Sequence, residues 1–226
     1  GDTMYLAACT KGANAKSIRK QPFSNIPAKQ RAFSLKSSYM SAFARRVIDR
    51  QLIPSLFNVD ELKSKTTLQL LQERFAPYIG KRVSEIAKLV DIPVTKNKAF
   101  NANLISAVLG VKGTKLESLR EFSKANIKFK TIRLEPTGIP KEHMSFEQID
   151  FHRWLNDAWE DYQLYEKFEY TKYLFVVFQY DETEKENKNR EPYLKGIMLW
   201  NMPEVVIEHE LKELWKTTKA ILEEGV

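Results

Sequence analysis

Cysteine is nearly absent. With Cys9 alone among 226 residues no internal disulfide can form, and with only three histidines (His143, His152 and His209) no Cys/His zinc set can be assembled. Long apolar runs are missing too. The longest, Tyr173 to Tyr180, has the length of a strand, well short of the roughly 18 residues that read as a membrane span. The opening residues GDTMYLAACTKG place no basic stretch ahead of an apolar one, so they do not read as a secretory signal. These absences fit an intracellular protein. Glycine is sparse at eight residues, and Gly110 and Gly113 are too few for a phosphate-binding loop. There is no Ser-His-Asp spacing, no repeat at solenoid period and no low-complexity tract.

What is present is 43% apolar and 29% charged, enough to bury a core in one large domain or in a domain with a smaller lobe. Charge is segregated. Residues 1–50 hold ten Lys and Arg against two acids, residues 91–133 hold nine against three, and residues 134–226 hold eleven against twenty. A basic first half and an acidic last third predict a face for a polyanion, nucleic acid before membrane, because the cations alternate with Ser, Asn and Gln and build no basic amphipathic helix.

Periodicity predicts a mixed α and β chain. Strands are expected at 4–9 and 33–36, with a long polar loop over 10–32 between them. A helix is expected from Ser37 or Ser38 to about Gln51, with Met40, Phe43, Ala44 and Val47 on its core face, followed by a linker at 52–58. One helix should open at Asp60 with Leu62, Leu68, Leu71 and Phe75 in phase, and others should cover 83–90 and 99–109. A strand at 126–134, a return strand at 143–149, a helix over 155–167 and two apolar strands at 170–180 and 193–200 precede a last helix from Pro203. That helix carries an apolar stripe of Ile207, Leu211, Leu214, Trp215, Thr218, Ile221 and Leu222.

The informative stretch for chemistry is Lys128-Phe129-Lys130. On a strand it sends both lysines to one face and the phenylalanine to the other. Metal-dependent nucleases need a carboxylate followed by an acid-x-Lys pair, the acids to hold Mg²⁺ and the lysine to steady water or phosphate. Here the acid of the pair is a second lysine, which repels a cation and suits a phosphate; the bland alternative is a solvated sheet face.

The blocks ERFAPYIGKRVSEIAKLVDI (73–92), NKAFNANLISAVLGV (97–111), NIKFKTIRLEPTGIP (126–140) and LWNMPE (199–204), with Leu211 and Trp215, resemble the MutH family. That family holds a mismatch-repair nuclease and GATC-cutting type II restriction endonucleases. The likeness spans about 60–224 and is greatest to the C-terminal unit of enzymes that carry two MutH-like domains in one chain. It implies an α/β (α+β) fold of restriction-endonuclease type, a mixed central sheet flanked by helices. MYLAACTKGANAK and RAFSLKSSYMSAFARRVI resemble instead the DNA-reading C-terminal lobe of such a unit. The implied organisation is a basic segment at 1–52 and a MutH-like domain at 53–226 that stops before its own lobe. Segment 1–52 is then either the tail of an upstream unit or a substitute for the missing lobe.

The resemblance places the family's catalytic acids at Ser106, Glu121 (with Glu117 a poorer substitute) and Lys128, and its lysine at Lys130. No catalysis and no bound metal are therefore expected of this segment, with Mg²⁺ reserved for a complete enzyme. The implied function is the allosteric effector region of a type IIE restriction endonuclease. It would bind double-stranded GATC-type DNA beside a catalytic half of the same polypeptide, in the bacterial cytoplasm and away from membranes. Alternatives are an active Mg²⁺ nuclease using Glu117, Glu121 and Lys130, or a protein-interaction scaffold. Phosphate contacts are expected from Lys11, Lys16 and Lys36, and from Lys96, Lys98, Lys128 and Lys130. Base reading is expected in 24–31, where Lys29 and Arg31 suit guanine and Asn25 and Gln30 suit adenine.

Overall fold

A computed structural model describes residues 6–12, 17–48, 54–97, 99–113, 115–181 and 190–225. At its centre lies a sheet in the order β5–β6–β7: β5 is Ile127–Leu134, β6 Lys172–Gln179 and β7 Tyr193–Trp200. Strands β5 and β6 run parallel and β6 and β7 antiparallel, which makes the sheet mixed. The central strand β6 is nearly continuously apolar because both its faces are covered.

One face packs Leu174, Val176 and Phe178 with Ile127 and Phe129 against Leu71, Leu104 and Phe122. These come from α3 (Thr67–Phe75), α5 (Phe100–Val108) and α6 (Arg120–Ala125), with α2 (Val59–Ser64) and α4 (Val83–Leu89) beside them. The other face packs Tyr173 and Phe175 against an aromatic cluster of Trp154, Trp159, Tyr162, Tyr165 and Trp215. It is supplied by α7 (Phe151–Asn156), α8 (Gln163–Tyr170) and α9 (Lys212–Glu223). No helix among the described residues is long and apolar enough to cross a membrane.

The N-terminal segment forms two small antiparallel sheets, β1 (Leu6–Thr10) with β4 (Arg31–Leu35), and β2 (Ile18–Gln21) with β3 (Ser24–Lys29), followed by α1 (Ser37–Ile48). The expected loop over 10–32 is thus largely a hairpin. Its turn is braced by the Gln21 side chain donating to the Ile26 carbonyl at 2.8 Å and by the Ile26 amide donating to Ser24 Oγ at 3.1 Å. Pro27 is tolerated because in a two-stranded ribbon every strand is an edge.

Other expectations fail for identifiable reasons. In α1 the buried residue is Ala42, packed toward α6, while Met40, Phe43 and Val47 face outward, each about half exposed. The helix expected from Asp60 is two helices: a capping box of Asn58 with Glu61 starts the first, and a second box, Thr66 with Gln69, breaks the chain after Lys65 and starts the next. The linker that was expected at 52–58 carries Leu56 and Phe57 into the core. Residues 143–149 form no strand; β5 takes β6 as its partner, and only an isolated bridge joins Leu134 to Pro140. In the last helix a π-helical stretch, Val206–Leu211, shifts the phase, so Ile207 and Trp215 are buried while Leu214 and Ile221 are exposed.

Candidate nucleic-acid interface

Helix α5 ends at Gly110, whose φ of +78° suits a residue without Cβ, and the Val111 amide returns to the Ser106 carbonyl at 2.8 Å. Ser106 is therefore buried in the helical layer. Glu121, on α6, is 4% exposed. It accepts hydrogen bonds from Ser55 Oγ and, at 2.9 Å, from the Leu56 amide. Its carboxylate thus fastens the segment before α2 to α6.

Between α6 and β5, Asn126 adopts a left-handed conformation (φ 52°) and donates to the Tyr170 carbonyl at 3.1 Å and Thr171 Oγ1 at 3.0 Å. That turn sets the register of β5. Lys128 stands beside Tyr173, Lys130 stands beside Phe175, and Phe129 enters the opposite core, as the alternation predicts. Lys130 Nζ donates to the Ser145 carbonyl at 2.9 Å and lies 5.0 Å from the centre of the Phe146 ring. Sequence reasoning missed a third lysine. Lys167, on α8, lies 5.5 Å from the centre of the same ring and pairs with Glu147. Its pKa is lowered, by burial first and then by Lys130 and Lys128. Lys167 sits 37 positions beyond Lys130, so no local spacing could have announced it.

These residues do not fit a magnesium ion. Ser106 is enclosed, both oxygens of Glu121 are engaged, and Lys128 brings a positive charge where a ligand oxygen is needed. Among the described residues no three His, Cys, Asp or Glu side chains gather as a metal-holding group.

A second basic surface lies on the hairpin, where Lys11, Arg19, Lys20, Lys29 and Arg31 line a cleft of about 460 Å³. Lys29 and Arg31 are turned partly toward the body. Lys29 pairs with Glu160, which also faces Lys212 at 3.8 Å, and Arg31 lies beside Tyr165. The pKa of Lys29 is lowered, chiefly by burial and then by Lys212. Segment 24–31 is a strand and its exit, with Asn25 exposed and Gln30 half-buried. A third basic group joins Lys124 to Arg120 and Arg46 across the α1–α6 contact, and Lys124 too is lowered, by burial and then by those neighbours. Lys36 is buried and lines a larger cleft, of about 730 Å³, into which Lys128 and Lys167 also open. Lys96 is exposed; Lys16 and Lys98 lie outside the described residues.

A mixed sheet between two helical layers, with Lys128-Phe129-Lys130 on an outer strand, is a scaffold of restriction-endonuclease type. The family model for the DNA mismatch repair enzyme MutH matches residues 113–214, the segment from the approach to α6 into α9. Over that segment the chain is MutH-like. It is 36% identical over 239 aligned positions to the type II restriction enzyme Sau3AI of Staphylococcus aureus, with all of this chain covered. The chain spans about half the length of that curated relative (47%).

Proposed function

We propose that this chain is a duplex-DNA-binding effector region of a type IIE restriction endonuclease. In this reading it engages a GATC-type site and stimulates a MutH-like catalytic unit of the same polypeptide without cutting DNA itself. Residues 1–52 supply a basic reading lobe and 53–226 the MutH-like body. Magnesium serves the catalytic unit, in the cytoplasm of a bacterial cell. One observation supports the reading: Lys128, at the position the resemblance gives to the acid of the nuclease pair, carries an ammonium group, while the Glu121 carboxylate is engaged by Ser55 and Leu56. What the site lacks as a metal centre it supplies as a phosphate-attracting surface, with Lys130 beside Lys128 on the same strand face.

Duplexes with and without a GATC site, tested for binding across a salt series and for nicking with Mg²⁺, decide the matter. Salt-sensitive binding that prefers GATC, with no nicking, is the expected result. Divalent-dependent cleavage by the pure chain, abolished by Lys130→Ala, overturns it, and salt-independent binding removes its electrostatic basis.

A further inference from the structure

Three lysines converge on one end of the sheet face that carries the aromatic cluster. Lys128 and Lys130 come from β5, and Lys167 from α8 reaches the same Phe146 ring as Lys130. Gathering like charges is unfavourable, the more so where water is partly excluded. Lys167 keeps only 19% of its side chain exposed. Compensation inside the chain is incomplete. Glu147 pairs with Lys167, and its own side chain is 69% exposed, held at the rim. Lys130 has a backbone carbonyl and a ring face, both neutral. For Lys128, which is exposed, no carboxylate among the described residues comes within ion-pair distance. Beneath the group the Tyr173 hydroxyl is buried without a hydrogen-bond partner, so the protein leaves this corner polar and unfinished. Lys128 and Lys167 open into the 730 Å³ cleft, and Lys130 lines a second cleft of about 460 Å³ on the other side of Phe146 and Ser145.

We infer that Lys128, Lys130 and Lys167 form a seat for one backbone phosphate of duplex DNA, in which fixed ammonium groups do the charge neutralisation that a nuclease assigns to a metal ion. Nothing is cleaved, because an ammonium neither generates hydroxide from bound water nor expands its coordination. Glu147 occupies the seat's edge when DNA is absent and is displaced from Lys167 when the phosphate arrives. The inference rests on the DNA-binding reading above and extends it to a position on the duplex.

The test uses the full chain and a GATC duplex in which one phosphate at a time is replaced by a neutral methylphosphonate. Wild-type protein should lose about tenfold in affinity at one backbone position, the worth of a charge-assisted hydrogen bond. Lys128→Ala and Lys167→Gln should each weaken binding to the unmodified duplex and lower the salt slope by about one. Both should lose less affinity than wild type to that same methylphosphonate. Lys128 is exposed, so its variant folds; the melting temperature of Lys167→Gln is read alongside. If wild type binds and the Lys128→Ala protein matches it on every duplex, the seat is overturned while DNA binding stands. If wild type binds no duplex even at about 50 mM salt, where backbone contacts are strong, both fall.

Discussion

Glu121 separates two accounts of this chain, because a vestigial metal ligand and a structural clamp respond differently to truncation. Its carboxylate takes one hydrogen bond from Ser55 Oγ and one from the Leu56 amide at 2.9 Å, while the Arg120 amide donates to the Pro54 carbonyl at 2.9 Å. Residues 54–57 are thereby stitched to the start of α6, and Leu56 and Phe57 drop into the core. In Glu121→Ala the Leu56 N–H is buried without an acceptor. Hydrogen bonds to a charged group contribute about 1.5–3 kcal/mol each and an orphaned buried donor costs about 1–3 kcal/mol. Release of a desolvated carboxylate offsets part of this. The net expectation is a loss of about 2–4 kcal/mol. At roughly 2–4 °C per kcal/mol for a chain of this size, the melting temperature should fall by about 5–15 °C. Glu121→Gln keeps an acceptor for one donor and should fall between. Thermal melts and duplex binding at a temperature where both variants are folded make the assay, and DNA affinity should be unchanged. A Glu121→Ala protein melting within about 1 °C of wild type refutes the clamp. So does a Glu121→Gln protein that loses Mg²⁺-dependent nicking at an unaltered melting temperature.

Burial holds the Tyr173 hydroxyl up at about 12, and Tyr170 is pushed to about 12 as well, by burial and then by Tyr165 and Glu169. An unfolded tyrosine ionises near 10, so the unfolded state loses its protons first. This contribution is therefore complete below about pH 10 and falls away as pH rises toward 12, by roughly 2–3 kcal/mol for the fully buried Tyr173. Spectroscopic titration should show these two phenols ionising last, and a normal titration of all nine tyrosines refutes it. Thr66→Ala removes the hydroxyl that accepts from the Gln69 amide at 3.2 Å and should cost about 1 kcal/mol without altering DNA affinity, as a melt and a binding curve would show.

The elements that were legible in the sequence were those whose signal is local. Strands β6 and β7 announced themselves as apolar runs around a charged connection, and Ile127 to Leu134 by alternation. Where a pattern had two readings, tertiary contacts decided. The stripe Met40, Phe43, Val47 is helical in period, yet the small Ala42 lets α1 approach α6 closely and leaves the larger residues outside. Thr66 and Gln69 carried a readable stop signal that periodicity overrode, and the hairpin from Ile18 to Lys29 was hidden because exposed ribbons need no apolar alternation. At the site, the lysine pair of β5 was legible from spacing two. Lys167, Glu147 and Glu160 were not, since what brings them to Lys130 and Lys29 is the crossover from β5 to β6 and the docking of the N-terminal lobe.

That docking bears on how much of the chain's positive charge is available to DNA. A cation already paired inside the protein has little counterion uptake to drive, because a phosphate must first displace the carboxylate that neutralises it. Lys29 is in this position. Glu160, with only 9% of its side chain exposed, holds Lys29 on one side and Lys212 at 3.8 Å on the other. Lys212 in turn reaches Glu208 at 2.9 Å, so it keeps a paired carboxylate when Glu160 is lost, whereas Lys29 is left only with the more distant attraction of Glu208. Glu160→Gln therefore frees one cation of the hairpin cleft that also holds Lys11, Arg19 and Lys20. Relative to wild type, the variant should bind duplex DNA more tightly at low salt, with a plot of log affinity against log salt steeper by up to about one. The preference for GATC over scrambled DNA should change little if Lys29 meets phosphate, and should rise if it reaches a base edge. Binding titrations over about 50–200 mM salt, with both duplexes, read slope and preference together. A Glu160→Gln protein with unchanged slope and affinity would mean that the hairpin cleft faces away from the duplex, leaving the β5 and α8 lysines to carry the contact alone.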